Sequence, residues 1–261
     1  MNYQKVVAFD IGIKNLAFCI LENQSTVISL ENCTLLEPVQ TISCSLCKLK
    51  ASFQVSQQPY CKKHIPKTHK TLPELSKKKL PPNKVLKELV KSHQCENLGV
   101  SNEKCVESLS KKFAIHFEQP KEENASKMSL ENIHDGLRKF VRSKWELFSG
   151  STHILLENQP VFKNPHMKSV QVLLFATLRE MFLEHQQTPK YHFIHAKKKV
   201  DDAPKGDAGY NERKQKSEER LISLFDTKQV QGDSFYQMWK QSKKKSDMAD
   251  ALCMAVDYSS N

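Results

Sequence analysis

Three short apolar runs open the chain, at residues 3–10, 16–21 and 26–30, and brief polar stretches separate them. The runs are rich in valine, isoleucine, leucine and phenylalanine and are too short for buried helices, so they predict three strands. Their tight connections favour an antiparallel meander. The first run ends in Asp10, which places a carboxylate at the C-terminal end of a buried strand. Gly12 follows, and its missing Cβ lets either a phosphate or a neighbouring backbone come close.

Helical and strand-like patterns alternate in the second half of the chain. Apolar residues at helical spacing predict a helix over residues 129–148, with Gly150 as its stop signal. The next apolar run, residues 153–157, predicts a strand that again ends in a carboxylate, Glu157. Beyond it the pattern predicts, in order, a long helix over 165–185, a strand over 191–195, a helix over 212–225 and a final helix over 251–258.

The residues just before the final helix are polar and then acidic. Ser246 is predicted to be the N-cap of this helix. Asp247 and Asp250 are three positions apart, so they lie on one helix face. The helix dipole explains one acid in the first turn, but it does not explain a second acid one turn later. We therefore interpret this pair as functional.

Four carboxylates are thus predicted at two strand ends and one helix start, namely Asp10, Glu157, Asp247 and Asp250. If the first strand is central and lies beside the strand of Glu157, all four reach one crevice. Clustered carboxylates do not all stay ionised unless cations lie between them. Two Mg²⁺ ions about 3.5–4 Å apart would neutralise them and hold the oxygens that enter and leave in phosphodiester hydrolysis.

The middle of the chain, residues 41–125, has a different composition and is predicted to be an insertion into a core formed by residues 1–40 and 126–261. Cys44 and Cys47 form one close pair of metal ligands, and Cys61 and His64 form a second pair. This spacing is typical of a zinc site, in which four protein ligands leave no position for water. One structural Zn²⁺ is therefore predicted, with His69 as an alternative fourth ligand. Residues 67–84 are predicted to be a linker and residues 83–93 a short helix.

Charge and composition narrow the class of partner. Lysine and arginine outnumber aspartate and glutamate by 40 to 29 in 261 residues, a net charge of +11 that favours a polyanion. The lysines that flank the zinc ligands are predicted to add DNA contacts. No apolar run approaches the roughly 20 residues of a membrane span. We expect a soluble, intracellular protein without a membrane partner.

Three motifs carry a resemblance to a known family: FDIGIKN at residues 9–15, LLENQ at 155–159 and KSDMADA at 245–251. In this order they resemble the RuvC-like branch of the RNase H-like nucleases, and more narrowly the Holliday junction resolvases of poxviruses and related large DNA viruses. The resemblance covers roughly residues 3–40 and 129–258. It implies an α/β fold with an RNase H-like mixed five-stranded sheet flanked by helices.

The resemblance also implies an activity. Members of this family cut four-way DNA junctions symmetrically, as dimers, with Mg²⁺ or Mn²⁺. By this analogy two such ions are held by the four acids, and a viral protein of this kind acts at the DNA replication sites of infected cells. A lysine next to a strand end is expected at the scissile phosphate, and we choose Lys198 from a run of three. The lysines expected to contact DNA elsewhere are Lys14, Lys197, Lys199, Lys243, Lys244 and Lys245.

Two other classes of protein are compatible with parts of this pattern. ATPases of the actin and sugar-kinase type also place an Asp-x-Gly turn after their first strand, but they need further glycine-rich loops, and this chain has only 7 glycines. A catalytically inactive DNA-binding protein with zinc is the second alternative. The presence of all four acids favours the nuclease.

The long helix predicted at residues 165–185 has more apolar surface than one sheet contact needs. Val170, Leu174 and Phe182 belong to one broad face, while Val172, Ala176 and Leu183 form a second face on roughly the opposite side. Extra apolar surface marks a partner site. Because a four-way junction has two equivalent strands to cut, we expect a two-fold homodimer.

Overall fold

The computed structural model describes residues 3–121, 124–162, 164–195 and 210–260. Their strands are β1 (Lys5–Asp10), β2 (Leu16–Glu22), β3 (Thr26–Cys33), β4 (Phe53–Val55), β5 (Gln58–Tyr60), β6 (Lys70–Thr71), β7 (Phe113–His116), β8 (His153–Asn158) and β9 (Lys190–His195). Their helices are α1 (Asn83–Ser92), α2 (Asn102–Ser110), α3 (Leu130–Ser143), α4 (Trp145–Phe148), α5 (Pro165–Glu184), α6 (Tyr210–Asp226), α7 (Asp233–Gln241) and α8 (Lys245–Ser259). The chain forms two compact units, a core unit of Met1–Glu37 with Glu123–Asn261 and an inserted unit of Pro38–Glu122.

The core unit is built on a five-stranded sheet with the order β3-β2-β1-β8-β9. The first three strands form the antiparallel meander expected from their tight connections, whereas β8 and β9 run parallel to β1. The central strand is therefore β1, with β8 next to it. This confirms the predicted mixed five-stranded sheet flanked by helices.

Helices cover both faces of this sheet, which explains why β1 is almost uniformly apolar. Val6 and Ala8 point to one face, where they pack with α6, α7 and α8. Val7 and Phe9 point to the other face, where they pack with α3, α4 and α5. On this second side Phe9, Phe18, Phe140 and Phe148 form an aromatic cluster with ring centroids 5.3–6.4 Å apart.

The inserted unit has its own sheet and its own apolar core. Its strands have the order β5-β4-β7-β6. Leu75, Leu86, Leu109 and Ile115 are buried together in this unit, where they join residues of α1, α2 and β7. The prediction of a linker over residues 67–84 is therefore wrong, since Leu75 is fully buried and β6 pairs with β7. A two-residue strand is too short to show an alternating pattern, and this is why the sequence did not reveal it.

Two further predictions about helix ends are corrected by the structure. The helix expected over residues 129–148 is broken at Lys144, which separates α3 from α4. The final helix begins at Lys245, so Ser246 is inside its first turn and is not the N-cap. Trp239 of α7, a helix that the sequence pattern did not predict, donates its indole N–H to the carbonyl oxygen of Lys245 at 2.9 Å. This contact joins two helices that are adjacent in sequence, and it is formed at the point where α8 starts, ahead of the expected serine cap.

No helix in the described part of the chain is long and apolar enough to cross a lipid bilayer.

Candidate active site and zinc centre

Asp10 and Glu157 are brought side by side by the pairing of two parallel strands. Phe9 of β1 is opposite Leu156 of β8, so the next residue on each strand is the predicted acid. Side chains alternate along a strand, and each acid therefore points to the same face as the residue two positions before it. Those residues, Ala8 and Leu155, pack toward α8. Both carboxylates consequently project to the side of the sheet that α8 covers.

The acids of α8 complete the group. Asp247 and Asp250 lie in the first two turns of α8, which packs against β1 and β2. All four predicted acids line one open crevice of about 720 Å³, together with the turn after β1 and residues of α6. Three elements far apart in sequence thus place their carboxylates around the same space, at the C-terminal ends of β1 and β8.

Side chains to which the sequence analysis gave no role in the site contact three of these acids. The Gln159 side-chain amide donates to Glu157 Oε2 at 2.8 Å. On α6, the Ser217 hydroxyl lies 2.6 Å from Asp250 Oδ1, and Lys214 Nζ lies 3.6 Å from Asp247 Oδ1. Ser217 is only 4% exposed, so this hydrogen bond is shielded from water. These contacts restrict the orientation of the acids before any ligand binds.

The residues of α6 that contact acids of α8 are regularly spaced along the helix. Lys214, Ser217 and Arg220 are three residues apart on α6, and Arg220 forms an ion pair with Asp257 of α8. Residues at this spacing lie on one face of a helix. The sequence contains the signal, but reading it requires knowing that these two helices are neighbours.

The segment that follows Glu157 is also held in place, by side chains of α5. Gln171 of α5 is buried, and its side-chain oxygen accepts from the backbone N–H of Gln159 at 2.8 Å. Lys168 Nζ donates to the same oxygen at 3.1 Å and to Asn158 Oδ1 at 2.9 Å. The buried glutamine therefore fixes the position of Gln159, whose side chain orients the acid.

Gly12 allows the tight turn that joins β1 to β2. A Cβ at this position would overlap the carbonyl oxygen of Asn15 and lie 3.1 Å from its carbonyl carbon. Of the two interpretations of this glycine, the structure shows the close approach of a neighbouring backbone. Lys14, in the same turn, is exposed and lines the crevice.

The other predicted basic residues are distributed differently. Lys243 and Lys244 are exposed, and Lys245 Nζ lies 5.4 Å from the centroid of the Trp239 ring. None of these three is among the described residues that line the crevice, whereas Arg213 and Lys214 of α6 are. Lys197, Lys198 and Lys199 lie outside the described residues.

The zinc ligands predicted in the inserted unit form a tight cluster. The ligand atoms of Cys44, Cys47, Cys61 and His64 all lie within 4.8 Å of one another. Cys47 Sγ and Cys61 Sγ are 3.8 Å apart, and His64 Nδ1 is 3.6 Å from Cys44 Sγ and 3.5 Å from Cys61 Sγ. Tetrahedral zinc, with bonds of about 2.3 Å to sulfur and about 2.0 Å to nitrogen, requires edges of about 3.8 and 3.5 Å. These three distances match the edges of a zinc tetrahedron, and the remaining ligand atoms lie within 4.8 Å of one another, so the four residues could hold Zn²⁺.

The thiol of Cys44 is the member of the cluster whose pKa favours metal binding. Burial raises the pKa of Cys44, but hydrogen bonds from the backbone N–H groups of Cys61 and Leu46 and from His64 outweigh it and lower the pKa to about 6. A thiolate is the form of cysteine that binds metal. The alternative ligand His69 is not part of the cluster, and its Nδ1 lies 3.0 Å from the hydroxyl of Thr68.

No protein-family model matches the sequence, and no curated protein matches it. The chain is similar in structure to the yeast mitochondrial Holliday junction resolvase Ydc2, with 13% identity and a TM-score of 0.48, over 98% of this chain and 79% of that one. It is also similar to the fowlpox virus resolvase, solved with its substrate Holliday junction DNA, with 14% identity and a TM-score of 0.39, over 98% of this chain and 97% of that one. These structural neighbours are Holliday junction resolvases.

The chemistry of the crevice follows from its donors. Four carboxylates offer the hard oxygen ligands that Mg²⁺ and Mn²⁺ prefer. The exposed Lys14 and the amine of Lys214 add positive charge beside them. A phosphate next to such a group is attracted by the lysines and by any bound divalent cation. The residues present therefore suit metal-assisted chemistry on a phosphodiester.

Proposed function

We propose that this protein is a structure-selective DNA endonuclease that resolves four-way junctions by hydrolysing phosphodiester bonds with two Mg²⁺ or Mn²⁺ ions. The observation that carries the proposal is the convergence of Asp10, Glu157, Asp247 and Asp250 on one crevice in a chain of net charge +11. Acids that act only as caps or in ion pairs have no reason to converge from separate elements. Four acids from two strand ends and one helix, facing one open space, indicate cation ligands.

The proposed roles of the residues follow from their positions. Asp10, Glu157, Asp247 and Asp250 would hold the cations, which when bound supply an activated water and stabilise the departing oxygen. Gln159 and Ser217 orient Glu157 and Asp250 through the hydrogen bonds described above. Lys14 and Lys214 attract the phosphate to the crevice. Lys198 remains our proposed contact to the scissile phosphate.

The proposed structural zinc acts in the inserted unit. Zinc binding to Cys44, Cys47, Cys61 and His64 would join the loop before β4 to the turn after β5 and stabilise the folded unit. We expect about one zinc per chain when the protein is purified without chelators. Elemental analysis that finds none would end this part of the proposal.

We further propose a two-fold homodimer that uses the outer face of α5. Val172 and Leu183 are 53% and 48% exposed, and Ala176 between them is exposed as well. The opposite face, with Val170, Leu174 and Phe182, is buried against the core. A dimer would present two equivalent crevices to the two equivalent strands of a junction. Light scattering at micromolar concentration should give twice the 30.0 kDa of one chain, and a 30.0 kDa particle would rule the dimer out.

The central experiment compares labelled four-way, linear duplex and single-stranded DNA, each with and without Mg²⁺. We expect paired nicks in the four-way junction that require the metal. Asp10→Asn, Glu157→Gln and Asp250→Asn should each abolish cleavage and leave junction binding intact or tighter, since each removes a ligand and a negative charge near phosphate. If a variant keeps near-normal turnover, the acid that it replaces is not a metal ligand of the site. Junction binding without cleavage in the wild-type protein would favour the inactive DNA-binding alternative.

A further inference from the structure

The positive charge of the chain is concentrated in the inserted unit. Residues 38–122 contain 16 lysines, no arginine, 7 glutamates and no aspartate, so this unit carries +9 of the total net charge of +11. The core unit, which contains the acidic crevice, is close to neutral. The capacity to attract a polyanion therefore resides mainly in the part of the chain without the crevice.

Within this unit the zinc-ligand cluster brings two lysine pairs together. Lys48 and Lys50 follow the ligand Cys47, while Lys62 and Lys63 lie between the ligands Cys61 and His64. Because the four ligand atoms lie within 4.8 Å of one another, the two loops that carry these lysines are held side by side. We call these four residues the knuckle lysines.

The residues that flank the knuckle lysines in sequence are all neutral or basic. All four are exposed, and residues 38–73 contain six lysines and no acidic residue. Other lysines of the unit are partly neutralised, for Lys104, Lys111 and Lys121 form ion pairs with glutamates. No described acidic residue forms such a pair with the knuckle lysines. They form a basic surface that the ligand cluster holds together.

We propose that the knuckle lysines bind the phosphate backbone of the duplex DNA on which the enzyme acts, without reading its sequence. Lysine is a flexible point charge that suits phosphate. Arginine, the commonest side chain in specific contacts to guanine, is absent from the whole unit. This proposal rests on the proposed function and adds to it the part of the chain that holds the duplex arms of the junction. It can be tested by DNA binding alone, without cleavage.

Counterion release gives the size of the expected effect. Each phosphate contact to B-DNA contributes about 0.9 to the slope of log K against log salt. Replacing all four knuckle lysines by glutamine should lower the slope by up to about 3.6 and weaken binding at ~100 mM salt at least tenfold. The loss should be similar for a four-way junction and a linear duplex, and similar between sequences.

The experiment uses the full chain with Lys48, Lys50, Lys62 and Lys63 all changed to Gln. The matched control changes Lys84, Lys87, Lys91 and Lys104 of α1 and α2 to Gln, which removes the same charge from the same unit. Dissociation constants are measured without divalent metal between ~50 and ~200 mM NaCl, after zinc content and thermal midpoint show that both proteins are folded.

The proposal requires the knuckle variant to lose affinity and slope while the control keeps most of both. Equal losses in the two variants would show that only the overall charge matters and would overturn it, as would wild-type binding by the knuckle variant. Neither result touches the nuclease proposal, which depends on metal-dependent cleavage and its loss in Asp10→Asn.

Discussion

Substituting Gly12 by alanine tests whether the turn after β1 sets the geometry of the crevice. The added Cβ would overlap the carbonyl oxygen of Asn15, well inside the 3.0 Å that Cβ atoms keep from other atoms. This oxygen belongs to the backbone, so the turn itself must move, which costs about 1–3 kcal/mol of folding free energy by analogy with overpacked cores. Asp10 lies two residues before the glycine. A displacement of about 1 Å at a catalytic group lowers the rate about 100-fold.

Gly150→Ala is the matched control for this substitution. Gly150 has a φ of +74° and no atom within 4 Å of a Cβ placed on it, so alanine there is strained but does not clash. The left-handed conformation costs an L residue about 1–2 kcal/mol. Gly150 precedes β8, whereas Glu157 lies near the other end of that strand. The control should therefore lose comparable stability without a change in the crevice.

Urea unfolding and single-turnover junction cleavage separate the two effects. We expect both variants to unfold at lower urea concentrations, and only Gly12→Ala to lose cleavage by about 100-fold. If Gly12→Ala cleaves at the wild-type rate, the turn does not position Asp10. If both variants lose cleavage equally, the loss reflects stability, and the geometric reasoning fails.

Two further substitutions test other parts of the structure. Ser217→Ala should weaken Mn²⁺ binding by the DNA-free protein at least about tenfold, because Asp250 loses a buried hydrogen-bond donor. Ser217→Thr keeps the hydroxyl and should retain most of the affinity. As a control, Ser223→Ala changes an exposed serine of the same helix and should leave the affinity unchanged. Equal Mn²⁺ affinity in all of these proteins would contradict a positioning role. Phe148→Ala should lower the free energy of unfolding by about 3–5 kcal/mol, because this buried ring packs against Phe9, Phe18 and Phe140. Phe162→Ala, at a side chain that is 99% exposed, should cost almost nothing, and a similar loss in both variants would show that the aromatic cluster is not a stability determinant.

Local pattern was sufficient for the elements that carry the acids. The apolar runs that end in Asp10 and Glu157 are short and buried on both faces, so hydrophobicity alone marks them as central strands, and β1 and β8 are such strands. The cluster of Cys44, Cys47, Cys61 and His64 could also be predicted from local pattern, because each pair is contained in four consecutive residues and a short loop joins the two pairs. Structural features that depend only on residues close together in sequence can therefore be predicted from the sequence.

Contacts between distant segments could not be inferred in this way. Ser217 and Lys214 belong to an ordinary polar helix until α6 packs on α8, and Gln171 is an unremarkable residue until α5 is placed beneath the turn after β8. In the inserted unit, β6 exists only because β7 pairs with it. The hydrophobic pattern of a segment shows which of its side chains gain free energy from burial. It does not show which other segment covers them. The features above depend on hydrogen bonds and packing that form only after two elements distant in sequence come together.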